Sequence, residues 1–146
     1  MGMLSPVRLA LDEPCFLPVA AEAVAAGFPS PAEDYVTSEI NLSEELICHP
    51  AATFLVRVAG DSMLDAGISD GDELIVDRSL TPQDGDVVVA VVDGEFTVKT
   101  FRSGPAPVLL PANPDFPPIT LIDCTDAQIW GVATTCLHHL RHRPNR

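Results

Sequence analysis

Residues 86–101 read DVVVAVVDGEFTVKTF: two apolar runs divided by Asp93-Gly94. An Asp-Gly pair between such runs is the strongest short-range signal for a β-hairpin, because both loop positions of its tight turn need positive φ. With Asp93 and Gly94 as the loop, Val92 faces Glu95, Ala90 faces Thr97 and Val88 faces Lys99. Side chains alternate along a strand, so these three pairs share one face. Lys99 is the only lysine in a chain of 146 residues that carries 21 acidic ones. On that face it has two fates. It can snorkel to water, or it can be desolvated and give up its proton more readily.

Outward from the hairpin the signals stay β. TFLVRVA (53–59) and ELIVD (73–77) read as strands, separated by a glycine-punctuated turn region, GDSMLDAGISDGD (60–72). Shorter strands are expected at PVLLP (107–111), ITLID (119–123) and AQIWGVATTCL (127–137). NLSEELICHP (41–50) predicts a short helix capped by Asn41 or Ser43, with acidic residues in its first turn and Pro50 as its stop. The expected fold class is mainly β and compact, with one short helix.

Residues 1–39 contain Pro6, Pro14, Pro18, Pro29 and Pro31 around an alanine-rich piece, VAAEAVAAG. Proline at this density prevents a long helix and favours extended chain, so this segment reads as an arm. Residues 40–136 read as the β domain, and HHLRHRPNR, within 137–146, as a basic tail.

The formal net charge of −13, with three of eight basic residues in the last six positions, leaves no basic face for phosphate binding. Direct nucleic-acid binding is not expected, whereas a basic protein partner suits such a surface. No apolar run approaches the roughly 18 residues of a membrane span, and the first residues do not read as a secretory signal. Cys15, Cys48, Cys124 and Cys136 lack metal-ligand spacing. They read as buried or idle thiols of a cytoplasmic protein, with no cofactor or metal implied.

Ser62 lies just past an apolar strand, two residues after Gly60. It is either a turn serine satisfied by nearby backbone or a hydroxyl aimed into a cleft beside free amides. A serine nucleophile needs a base, and a neutral lysine can serve as one. At an ordinary lysine pKa, neutralisation at pH 7 costs about 4.6 kcal/mol. Burial of Lys99 among Val88 and Phe101, with no carboxylate adjacent, would supply part of that. His49, before a proline, and His138, His139 and His142, in the tail, are weaker candidates for a base. The tail histidines also allow an i, i+4 metal pair.

GFPSPAEDYV (27–36), GDSMLDAGISDGDELIVD (60–77) and GDVVVAVVDGEFTVK (85–99) resemble, in the same order and at near-constant spacing, the S24 family of serine–lysine autoproteases. That family holds LexA, phage repressors and the UmuD-type accessory subunits of error-prone translesion polymerases. The likeness runs from about residue 27 to residue 136 and is strongest to the UmuD type. It implies Ser62 as nucleophile, Lys99 as general base and self-cleavage between Ala26 and Gly27. UmuD-type members are expected to carry cysteine before that glycine and repressor-type members alanine; Ala26 stays within the family's range. The resemblance also implies a homodimer, stimulation by a RecA filament on single-stranded DNA in the SOS response, and a UmuC-like translesion polymerase as partner.

Three rival readings follow from the same residues. A LexA-type repressor needs a basic DNA-binding head of roughly 60 residues, but only 26 residues and one arginine precede Gly27. A signal peptidase needs a membrane anchor. A non-catalytic β module that regulates a polymerase would use Ser62 and Lys99 only structurally. From Gly27 to Ser62 an extended chain spans over ~100 Å at about 3.3 Å per residue, so reach leaves cleavage within one chain and across a dimer both open.

Overall fold

The computed structural model describes residues 7–8, 14–20, 23–24, 26–27, 36–121 and 127–141. The chain divides into two compact units, Met1–Leu9 with His49–Arg146, and Ala10–Cys48. In the larger unit, β1 spans Val7–Arg8; in the smaller, β2 spans Phe16–Ala20 and β3 Val36–Asn41. The strands β4 (Thr53–Arg57), β5 (Glu73–Asp77), β6 (Val87–Val92), β7 (Glu95–Arg102), β8 (Val108–Leu110), β9 (Ile119–Thr120) and β10 (Ala127–Leu137) complete the larger one. The fold is mainly β, as expected.

β2 and β3 form their own antiparallel ladder from Phe16↔Asn41 to Ala20↔Val36. Pro18 is tolerated there because a two-stranded ladder has only edges. The helix α1 spans Leu42–Leu46; Asn41 Oδ1 accepts from the Ser43 amide, and Glu44 and Glu45 fill the first turn. It ends earlier than expected. Ile47 turns extended while its N–H still donates to the Ser43 carbonyl, and Pro50 instead opens a one-turn 3-10 helix, Pro50–Ala52.

The larger unit is an eight-stranded antiparallel sheet in the order β1-β4-β5-β10-β6-β7-β8-β9. The β6–β7 hairpin has the anticipated register, Val92↔Glu95, Ala90↔Thr97 and Val88↔Lys99. Asp93 (φ 51°) and Gly94 (φ 81°) supply the two positive dihedrals of its turn. Of the strands expected at the end of the chain, 107–111 forms over Val108–Leu110 and 119–123 over Ile119–Thr120, with residues 122–123 outside the described ones. The last, β10, forms over its full expected length and inserts between β5 and β6. β6 is therefore an interior strand, and its middle, residues 88–90, is buried on both faces. Val89 joins a core of Val56, Val58, Met63, Ile68, Leu74, Val76 and Val98. Val88 and Ala90, on its other face, pack with Leu109 and Val132.

β10 accommodates its two neighbours with register shifts between Ile129 and Gly131 on one side and Ala133 and Thr135 on the other. A side chain at Gly131 would stand 2.6 Å from Val76 Cγ1, so close packing demands glycine there. The single tryptophan, Trp130, lies 5.2 Å from Phe54 and 5.5 Å from Phe96 between ring centroids. Arg78 stacks 4.5 Å above it and donates from Nε to its carbonyl.

The basic tail is anchored where it leaves β10. His138 Nδ1 bonds Asp72 Oδ1 at 2.6 Å, and His139 bonds Glu73, both across the end of β5. These two histidines therefore differ from the free tail that their sequence suggests, because buried carboxylates at the start of β5 need partners. His142 lies outside the described residues. The cysteines also differ in part from expectation: Cys15, Cys48 and Cys136 are free but exposed, and Cys124 lies outside the described residues. No helix among the described residues is long and apolar enough to cross a membrane.

Candidate active site

The serine turn is built from its neighbours. After β4 the chain continues through Val58, whose N–H donates to the Asp72 carbonyl and whose carbonyl accepts from the Gly71 amide. Gly60 (φ 98°) then turns the chain, with its amide donating to Asp70 Oδ1 at 2.8 Å. Met63 is only 1 % exposed and roots the turn in the core. Its carbonyl accepts from the Ala66 and Ile68 amides. Ser62, the residue before this anchor, is left half-buried at the rim.

A second segment braces the turn from outside. The Ala112 amide donates to the Ser62 carbonyl at 2.7 Å, and the Ala112 carbonyl accepts from the Asp65 amide at 2.7 Å. Asn113 Nδ2 donates to the Asp61 carbonyl at 3.0 Å. Residues 111–118, between β8 and β9, thus hold the serine turn by three hydrogen bonds.

Lys99 approaches from β7. It is 6 % exposed, opposite Val88, which is fully buried. Ser62 and Lys99 line one recess of about 250 Å³ together with Val58, Ala59, Gly60, Asp61, Thr97, Val98 and Phe116. Among the described residues Lys99 forms no salt bridge. Burial holds its pKa below the ordinary 10.5, and no opposing charge restores it. The nearest aromatic is Phe116, whose ring centroid is 5.7 Å from Nζ.

The arrangement places a hydroxyl on a braced turn and a buried amine of lowered pKa on the walls of one small, mostly apolar recess. The family description that matches the chain is "Peptidase S24-like", over residues 18–134. The chain belongs to the S24-like peptidase family. It is 48 % identical to the protein MucA of Salmonella typhimurium over 122 residues, covering 83 % of this chain and 84 % of MucA. It is 47 % identical to the protein SamA of Salmonella typhimurium strain LT2 over 124 residues, 85 % of this chain and 86 % of SamA. It is also 42 % identical to the LexA repressor of Mycobacterium sp. strain KMS over 132 residues, 90 % of this chain but 55 % of that repressor. Within the S24-like family it sits with the UmuD-like members.

The remaining sequence candidates fall elsewhere. Ala26 and Gly27 are exposed, in the smaller unit. The described histidines are engaged with carboxylates: His49 with Asp77, His138 with Asp72 and His139 with Glu73. None of them borders the Ser62 recess. Burial raises the pKa of Asp72, but hydrogen bonds from the Ser69 amide, His138 and Cys136 outweigh it and hold the group below its ordinary value. Asp77 follows the same pattern, with Ser79 and His49 as its donors. Cys136 is exposed as a residue, but its sulfur sits against the buried Asp72. The partial desolvation there and the Asp72 carboxylate push the thiol up to about 11, so it is a poor nucleophile at neutral pH. Among the described residues no cluster of three or more histidine, cysteine or acidic side chains has metal-binding geometry.

Three residues of this region carry no sequence signal: Thr97, Asn113 and Phe116. Thr97 reads as one more hairpin residue. Asn113 and Phe116 lie in NPDFPP, an irregular proline-rich stretch whose partners are remote in sequence.

Proposed function

We propose that this protein is a cytoplasmic self-cleaving serine–lysine protease of the SOS response, with Ser62 as nucleophile, Lys99 as general base and Ala26–Gly27 as the scissile bond. The observation that carries this reading is the shared recess: Ser62 and a buried Lys99, without a salt bridge among the described residues, line it together.

Neutral Lys99 Nζ accepts the proton of Ser62 Oγ as that oxygen bonds the Ala26 carbonyl carbon. The Gly60 amide is taken by Asp70 and the Leu64 amide by the Asp61 carbonyl, so in this reading the oxyanion donors come from the Asp61, Ser62 and Met63 amides. Collapse of the tetrahedral adduct breaks the C–N bond, and the Lys99 ammonium returns its proton to the Gly27 nitrogen. Lys99, neutral again, then takes a proton from water. The resulting hydroxide attacks the Ala26 ester, and Ser62 Oγ leaves with the proton. The products are residues 1–26 and 27–146.

Small residues on both sides of the bond suit a recess of this size, and the proline-flanked arm, residues 1–39, suits the extended conformation that a protease reads. Relatedness to MucA, SamA and LexA supports a place in the SOS machinery. In this reading the body works as a homodimer, a RecA filament on single-stranded DNA favours the cleavage-competent state, and the processed body serves a UmuC-like translesion polymerase. The test is incubation of the purified chain, and of Ser62→Ala, with and without that filament, followed by intact mass. Filament-dependent appearance of residues 27–146 from the parent alone supports the reading. A parent that stays whole beside the filament favours the alternative, a non-catalytic interaction module.

A further inference from the structure

Phe116 has no place in the serine–lysine chemistry itself, yet its position is unusual for an exposed aromatic. It is 43 % exposed while Lys99, beneath it, is 6 % exposed. Its ring borders the Ser62 recess, and it also borders a second one of about 340 Å³ lined by Val92, Asp93, Glu95, Phe96, Pro117 and Ile119. Thr97, Lys99 and Phe116 are the residues that the two recesses share. The ring thus borders both recesses beside the lysine and is the more exposed of the two side chains.

The segment that carries it is fixed. The Phe116 amide donates to the Asn113 carbonyl, and the Asp115 amide to Asn113 Oδ1, closing a tight turn. Pro117 and Pro118 stiffen the exit. The same segment, through Ala112 and Asn113, holds the Ser62 turn. One loop thus braces the serine with its start and covers the lysine with its end.

We propose that Phe116 is a positioning residue for the base: its ring excludes water from Lys99 and separates the two recesses, while its loop keeps Ser62 at a fixed place beside them. This rests on the serine–lysine reading of the site. Two ring effects oppose one another. A ring face attracts an ammonium and so favours the protonated form, but at 5.7 Å Nζ lies near the ~6 Å outer limit of that attraction. Exclusion of water disfavours the protonated form and dominates. The other ionisable groups bordering the two recesses are Asp61 from the serine turn and Asp93 and Glu95 from the hairpin. None of them pairs with Lys99. Val58, Val98 and Ile119 supply apolar walls.

Because Lys99 is the sole lysine, lysine labelled with carbon-13 at Cε gives one resonance whose shift against pH reads this group directly, with or without cleavage. The full chain bearing Ser62→Ala is titrated alone and with Phe116→Ala or Phe116→Leu, with Trp130 fluorescence as the check on folding. Phe116→Ala is expected to move the midpoint up toward 10.5. Phe116→Leu, which keeps the apolar cover without a ring face, is expected to hold the midpoint at or below the parent's. In chains retaining Ser62, Phe116→Ala is expected to slow cleavage about tenfold at pH 7, the neutral fraction falling tenfold per unit of midpoint, and to approach the parent rate above pH 10.5. Coincident midpoints for parent and Phe116→Ala overturn the proposal, as does an equal loss of rate at every pH. A Lys99 that titrates normally in the parent overturns the proposal and the lysine-base reading together. A lysine midpoint that Phe116→Ala raises, in a chain that never cuts, upholds the role of Phe116 in excluding water and sinks only the protease reading.

Discussion

Val88 lies directly across the β6–β7 ladder from Lys99, and neither side chain reaches water to any useful degree: the valine is fully buried and the lysine 6 % exposed. A hydrogen-bonded pair of strands thus presses a lysine side chain against an aliphatic one, with no carboxylate paired to it among the described residues. Such a placement destabilises the charged form, and its usefulness lies in that cost.

The first expectation concerns stability. A lysine whose folded pKa lies below 10.5 leaves the unfolded state binding more protons between those two values, so stability rises with pH across that window. Below the folded pKa the full cost of the buried charge is present. Lys99→Met should therefore stabilise the chain at pH 7 by about 1–3 kcal/mol, with the gain fading as pH rises from the folded pKa toward 10.5 and gone above it. Urea unfolding at both pH values measures it. A destabilised Lys99→Met at pH 7 would show that the ammonium has a stabilising partner.

Cleavage should follow the same titration with the opposite consequence. Only the neutral amine can accept the serine proton, so the rate is expected to climb about tenfold per pH unit below the lowered Lys99 pKa and to level off before 10.5. A flat profile from pH 6 to pH 10 would point to another base.

Asp77, the last residue of β5, should contribute to the acid limit of the fold. Asp77 is 4 % exposed and accepts from the Ser79 amide, Ser79 Oγ and His49. With its folded pKa depressed below 3.8, its contribution is complete above that value and lost as pH falls through the folded pKa. Asp77→Ala should cost about 2–4 kcal/mol at pH 7, and its stability curve should converge on the parent's in strong acid. Thermal unfolding from pH 2 to pH 7 follows both.

Gly131→Ala is expected to destabilise by about 1–3 kcal/mol. The added carbon would meet Val76 Cγ1 at 2.6 Å, and Val76 has no exposed surface into which to retreat. A variant as stable as the parent in urea would mean that β10 can shift away from β5 without loss.

Much of the site was legible in the sequence because its parts are locally encoded. Asp93-Gly94 fixes the hairpin register by turn chemistry, and register puts Lys99 opposite Val88 without knowledge of any other strand. Gly60 and the apolar strand before it mark the serine turn. The insertion of β10 between β5 and β6 was not legible, because pairing among strands is decided by packing over long separations. The same holds for His138 on Asp72, 66 residues apart, and for Asn113 on the Asp61 carbonyl, 52 residues apart. Phe116 escaped notice because nothing in NPDFPP is periodic; only the fold brings it over the lysine. The early end of α1 is a smaller case, where Ile47 takes an extended conformation before Pro50 is reached.

The central claim is that Ser62 and Lys99 act as one catalytic pair on the Ala26–Gly27 bond. Intact mass of the purified chain held at pH 7 and at about pH 10, beside Ser62→Ala and Lys99→Ala, tests it most directly. The account predicts new masses for residues 1–26 and 27–146, growing faster at the higher pH, in the parent alone. Cleavage at that bond in either variant, or a parent left whole at both pH values and in the presence of the RecA filament, would contradict it.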